Sequence, residues 1–117
     1  MKTSARIRPA VKSDCPAILE VMFSTPMSRE SSWWLNTVES LEAKLASGGG
    51  FVAEADGRIV GCVMHVVSDT DLVLRGLAVR PEFENRGIGT ALVEAVETKA
   101  RARDLPRVLL AVSASNL

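Results

Sequence analysis

Residues 84–92 read Glu-Asn-Arg-Gly-Ile-Gly-Thr-Ala-Leu. Gly87 and Gly89 sit one residue apart, Arg86 stands just before them, and a helical apolar pattern follows. That spacing places bare backbone at the mouth of a helix. The first N–H groups of a helix have no partner inside it, and they lie at the positive end of its dipole. A phosphate set there meets several backbone donors at once, and glycine removes the side chains that would keep it away. The plainer alternative is a glycine turn that lets the helix approach a sheet; the two glycines alone leave both readings open. A Gly-Lys-Ser/Thr phosphate loop is excluded, because that ending is absent. A dinucleotide fingerprint is excluded because Leu92 stands at its third small position.

The other residues with chemical potential are sparse. Cys15 and Cys62 are too few and too unpatterned for a disulfide framework or a zinc site, and read as reduced thiols. No metal is expected. His65 is the only histidine; it could relay a proton through water, or sit satisfied within a sheet. Asp69 and Asp71 fall in a turn, where solvation explains them. Met22 and Met27 read as core and loop filler.

The elements that must position these residues follow from periodicity. Ala5–Val11 reads as a first strand. A helix follows, capped by Ser13 or Asp14, with Pro16 in its first turn and Ile18, Val21 and Met22 on its inner face. A second helix is expected from near Ser32, with Trp34, Val38, Leu41 and Leu45 on one face, ended by residues 47–50. Residues 51–68 form two strands around Asp56-Gly57, a pair suited to a type I′ turn. A fourth strand ends before Pro81. Ile88, Leu92, Ala95, Val96 and Lys99 or Ala100 form the buried stripe of a helix that runs to about Arg103. Val108–Val112 is the last strand, parallel to the fourth by the right-handed crossover rule. The order is β-α-α-β-β-β-α-β: an α/β fold with a mixed, mostly antiparallel sheet and helices on both faces.

Composition narrows the class. The 117 residues are 47% hydrophobic and 24% charged, with zero formal net charge. One domain over residues 1–117 is expected, long enough to bury a core unaided. A neutral chain argues against a nucleic-acid partner recruited by a broad basic surface. No apolar run reaches a membrane span and the start carries no signal-like core, so no membrane partner and a cytoplasmic location are expected.

The stretch from Leu77 to Glu97 resembles the core motif of the GNAT superfamily of N-acetyltransferases: a strand ending in an apolar-Ala-Val run, a loop opening with Pro, Gln/Arg-x-x-Gly-x-Gly/Ala, then a helix. Gly87 and Gly89 match its glycines; Glu84 replaces its Gln/Arg, and Arg86 matches a basic residue common there. The flanking strands and helices fall in the family's order from about Ile7 to Asn116. The resemblance implies acetyl-CoA as cosubstrate. The backbone of Leu77, Ala78 and Val79 would pair with the pantetheine arm, and a backbone N–H there would face the thioester oxygen. Glu84, Asn85, Arg86, Gly87, Ile88, Gly89 and Thr90 would hold the pyrophosphate, and Asn116 would reach the pantetheine arm. The implied reaction is acetyl transfer to a primary amine of a small molecule or protein. Trp33 and Trp34 would border the acceptor, or one of them would lie in the core.

Two departures qualify this. The family's strand-four carboxylate is matched by Arg75 and Gly76, and its tyrosine acid has no counterpart, since the chain contains no tyrosine. The catalytic base and acid are therefore unassigned. The chain also stops before the family's next helix and two strands. A non-catalytic CoA-binding or interaction module is the alternative function. The apolar last strand is expected to be covered by further chain or by a second copy in a homodimer.

Overall fold

Alternation and helical spacing in the sequence sort the apolar residues onto the two faces of one sheet. The computed structural model describes residues 5–24, 36–68, 71–102 and 107–110. Strand β1 (Arg6–Pro9) leads through a 3-10 turn (Lys12–Asp14) into α1 (Cys15–Ser24); α2 (Val38–Ser47) follows. Strands β2 (Gly49–Ala55), β3 (Arg58–Ser68) and β4 (Asp71–Val79) come next, then a 3-10 turn (Pro81–Phe83), α3 (Ile88–Ala102) and β5 (Arg107–Leu110). The sheet runs β1-β2-β3-β4-β5 in space. All neighbours are antiparallel except β4 and β5, which pair in parallel from Asp71↔Arg107 to Leu74↔Leu110. The expected order and the parallel last pair are both observed, and β5 lies at one sheet edge.

Helix α3 covers one face. Ile88, Leu92, Val96 and Ala100 are buried against Val60, Val63, Leu72, Leu74 and Leu77. Ala95, also expected on that stripe, is only half-buried, and of the alternatives Lys99 and Ala100 it is Ala100 that is buried. The opposite face carries α1 and α2, where Cys15, Ile18, Val21, Met22 and Leu41 meet Val52, Ile59, Cys62, Met64 and Ala78. Each fully buried Leu, Ile or Val contributes about 1.5–3 kcal/mol.

Three local features differ from expectation. Asn36 and Thr37 are not helical, so α2 begins at Val38 rather than near Ser32. Thr37 fixes that start: its hydroxyl accepts from the Ser40 N–H at 3.1 Å while the Ser40 hydroxyl accepts from the Thr37 N–H at 2.9 Å. Trp33 and Trp34 lie outside the described residues, as do Met27, Asp69 and residues 111 and 112 of the expected last strand. At α1, the 3-10 turn runs directly into the helix, and Ser13 does not cap it. The Asp14 carboxylate instead accepts from the Val11 N–H at 2.8 Å and takes both arms of the Arg8 guanidinium, at 2.8 and 2.9 Å. The Arg8 Nε donates to Glu54 at 2.6 Å, which ties β1 to β2. Finally, Asp56 and Gly57 have φ of 53° and 78°, the two positive values a type I′ turn requires.

Candidate functional site

Strand β4 is not regular where the site begins. Cys62 of β3 faces Ala78 and Met64 faces Arg75, so two β4 residues, Gly76 and Leu77, stand opposite the single residue Val63. Gly76 has a φ of 62°. An extra residue with a positive-φ glycine is a β-bulge, which bends the strand and re-aims the backbone beyond it. The thiol of Cys62 donates to the Gly76 carbonyl at 3.5 Å. A glycine inside a strand-like run signals a bulge. Among the described residues, β5 pairs only with Asp71 to Leu74, leaving Arg75 to Val79 without a β5 partner. Leu77 and Ala78 are buried and Val79 is half-buried. Their backbone therefore runs through and just past the bulge, beyond the part of β4 that pairs with β5.

The end of β4 is anchored by Arg80. Its N–H donates to the Val60 carbonyl at 2.8 Å, its Nε to the Ile59 carbonyl at 3.1 Å, and its Nη2 to Glu20 at 2.9 Å. One residue thus joins β4, β3 and α1 at the root of the loop. Pro81–Phe83 then turn in a 3-10 helix that seats Phe83 in the α3-side core.

Residues 84–87 alternate in backbone conformation. Glu84 is extended, Asn85 has a φ of 63°, and Gly87 a φ of 79°. Asn tolerates the left-handed region better than most side chains, a signal the sequence carried at position 85. The Gly87 carbonyl accepts the first helical bond, from the Ala91 N–H at 3.0 Å. The N–H groups of Ile88, Gly89 and Thr90 therefore precede the hydrogen-bond ladder of α3 and point out of its mouth. A Cβ built on Gly87 meets nothing within 4 Å, and one on Gly89 reaches only Val79 Cγ2 at 3.9 Å. The space at this end of the helix is open, and a side chain there would occupy it. Behind it, Gly61 lets α3 settle on the sheet: a Cβ at that position would lie 3.1 Å from Ile88 Cγ2 and 3.2 Å from Leu92 Cδ1.

The loop residues Glu84, Asn85, Arg86, Gly87 and Thr90 are exposed, Gly89 is half-buried, and Ile88 is buried as the anchor of the first turn. They follow the end of β4 in the chain through the Pro81–Phe83 turn. Asn116 lies outside the described residues.

The candidates for acid–base work are dispersed. Arg75 is exposed and shares the α1-side face of the sheet with its partner Met64. His65 is buried on the opposite face, beneath α3, its ring 5.8 Å from that of Phe51 and packed against Gly49. The sheet itself separates it from the bulge face. Burial raises both thiols, that of Cys62 to about 12, so they are protonated at neutral pH and are poor nucleophiles. Among the described residues, no group of three or more His, Cys, Asp and Glu side chains could hold a metal ion. No helix among them is long and apolar enough to cross a membrane.

Comparison with known proteins agrees with this geometry. The model of the acetyltransferase (GNAT) family matches residues 9–117. An amino-acid acetyltransferase of Pseudomonas fluorescens (strain Pf0-1) is 31% identical over 101 residues, covering 85% of this chain and 22% of that protein. The PaiA N-acetyltransferase of Thermoplasma acidophilum, solved in complex with coenzyme A, superposes with a TM-score of 0.80 at 20% identity, over 97% of this chain and 82% of that one. Rv2747 of Mycobacterium tuberculosis, in complex with CoA and NLQ, gives 0.74 at 28% identity, over 90% and 63%. Among the curated relatives it matches, the chain spans 22% of the Pseudomonas enzyme and 46% of an acetyltransferase of Pectobacterium atrosepticum.

Proposed function

The chain belongs to the GNAT family of acetyltransferases, and from that premise we propose that it binds acetyl-CoA and transfers the acetyl group to a primary amine. The observation that carries this reading is the open mouth of α3, where three ladder-free N–H groups meet space that only glycines leave vacant. The residues fit a pyrophosphate: Glu84 to Thr90 supply backbone donors, and Arg86 supplies positive charge against the carboxylate of Glu84. Leu77, Ala78 and Val79 would pair with the pantetheine arm as an added strand, and Asn116 would reach the same arm.

In such a transfer the amine nitrogen attacks the thioester carbon, the carbonyl oxygen gains negative charge, and the carbon–sulfur bond then breaks. The nitrogen gives up a proton and the leaving thiolate takes one. A backbone N–H just past the bulge is the group suited to the oxyanion. A lysine-like amine, with its pKa near about 10.4, needs a base to attack at neutral pH. Neither Arg75 nor His65 is placed as that base, so base and acid stay unassigned.

The test is calorimetric titration with acetyl-CoA, followed by release of free thiol in the presence of amines, amino acids included. Saturable binding and thiol release support the reading. Binding without release supports the alternative of a non-catalytic CoA-binding module, which the lack of a carboxylate at Arg75 and Gly76 favours. No binding would overturn both.

A further inference from the structure

Strand β4 carries an exposed guanidinium at the start of its bulge. Arg75 directly precedes Gly76 and lies beside its β3 partner Met64, on the α1 side of the sheet. Leu74 is the last β4 residue paired with a described residue of β5, so Arg75 is the first beyond that pairing. The floor next to it is apolar. Met22 and Met64 are buried, and a Cβ at Gly76 would stand 3.9 Å from Met22 Cε and 3.6 Å from Met64 Cγ. Arg8 and Arg80 are engaged within the fold, Arg8 by Asp14 and Glu54, Arg80 by Glu20 and the Ile59 carbonyl. Among the described residues, no carboxylate pairs with Arg75 and no acceptor takes its hydrogen bonds.

Consecutive Cα atoms are about 3.8 Å apart, so Arg75 starts no more than about 7.6 Å from Leu77, whose backbone would meet the pantetheine arm. A cation there disfavours the ammonium form of an incoming amine and repels an amine that brings no negative charge of its own. A carboxylate one carbon away from the amine pairs with the forked N–H groups of the guanidinium and cancels that repulsion. We propose that Arg75 is a specificity residue for the acceptor: it binds the carboxylate of a free amino acid whose amine takes the acetyl group. Lysine side chains and alkylamines lack that adjacent carboxylate and are poor acceptors. The inference rests on the reading that the chain transfers acetyl from acetyl-CoA. In the step, the nitrogen bonds to the thioester carbon, the carbon–sulfur bond breaks, the nitrogen loses a proton and the CoA sulfur gains one. The carboxylate and Arg75 are unchanged.

The experiment is thiol release from acetyl-CoA by the full chain, with free amino acids and with the α-amide of each. The amide keeps the side chain and removes the charge. Its amine also loses a proton more readily, so basicity by itself would favour the amide at neutral pH. The parent is expected to prefer the acids by about tenfold or more in kcat/KM. Arg75→Ala, at an exposed position, should bring that ratio close to one, mainly through the KM of the acids. Arg75→Lys should restore part of it, and Arg75→Glu should invert it. Calorimetry with acetyl-CoA reports whether each variant is folded and loaded. A parent that acetylates amides and alkylamines as well as acids overturns the role of Arg75. So does a loaded Arg75→Ala chain that keeps the parental ratio or loses both acceptors equally, and in these cases acetyl transfer itself still stands. A parent that releases no thiol with any amine overturns the transfer reading, and the role of Arg75 with it.

Discussion

The N-termini of α2 and α3 solve the same physical problem in opposite ways. Both begin with N–H groups that lack an intrahelical partner. At α2, Thr37 and Ser40 exchange side-chain hydrogen bonds and close the end. At α3 the corresponding position is Gly87, which has no side chain to offer, and two residues later the sequence places another glycine rather than a cap, at position 89. The capped end contributes to stability; the uncapped one leaves its donors directed at open space. An unfilled helix end on an otherwise well-packed element is what ligand binding requires.

The comparison breaks most readily at the glycines. Gly89→Val fills the mouth of α3, and Gly87→Val adds strain at a φ of 79°. Losing two charge-assisted hydrogen bonds predicts a fall in CoA affinity of about a hundredfold or more, measured by calorimetry, with circular dichroism little changed for Gly89→Val. Parental affinity in either variant would mean that the two helix ends do not differ in role.

Away from both helix ends, Asp14 supplies a control in which loss of hydrogen bonds affects stability alone. The Arg8 guanidinium holds its carboxyl below the ordinary carboxylate value, with the Val11 N–H assisting against burial. Asp14→Asn is expected to cost about 2 kcal/mol in urea unfolding, without changing CoA affinity at matched folded fraction. Because the folded pKa is depressed, this contribution is present above the unfolded value near about 3.9 and is lost as pH falls through the folded value. The variant should therefore lack that part of the acid slope.

A smaller effect sharpens the contrast at α2. Thr37→Ala should cost about 1 kcal/mol of stability and leave CoA binding untouched, which thermal melts and calorimetry together would check. The last effect is confined to alkaline pH and belongs to Cys62. Its folded pKa, about 12, lies above that of a free thiol. The resulting stability is present below about pH 8.5 and declines as pH rises towards the folded value. Cys62→Ala should flatten that alkaline decline, and thiol reagents should not label Cys62 in the native chain at pH 7.

Most of the sheet and its helices could be read from the sequence because their signals are local. The apolar stripe of α3, the Asp56-Gly57 turn and the run before Pro81 each carry their own period or turn chemistry. The glycine loop was legible for the same reason. What escaped depends on partners distant in sequence. The bulge at Gly76 is defined by its register against Cys62 and Met64. The Arg80 anchor joins groups from α1 and β3. The start of α2 was misplaced because apolar spacing from Trp34 onward outweighed the cap at Thr37. His65 could be judged only once its face of the sheet was known.

The central claim is that the mouth of α3 holds the pyrophosphate of CoA, and titrating acetyl-CoA into the parent chain and Gly89→Val tests it most directly. Saturable binding by the parent, lost by about a hundredfold or more in the folded variant, is the predicted result. Equal affinity in the two chains would contradict it.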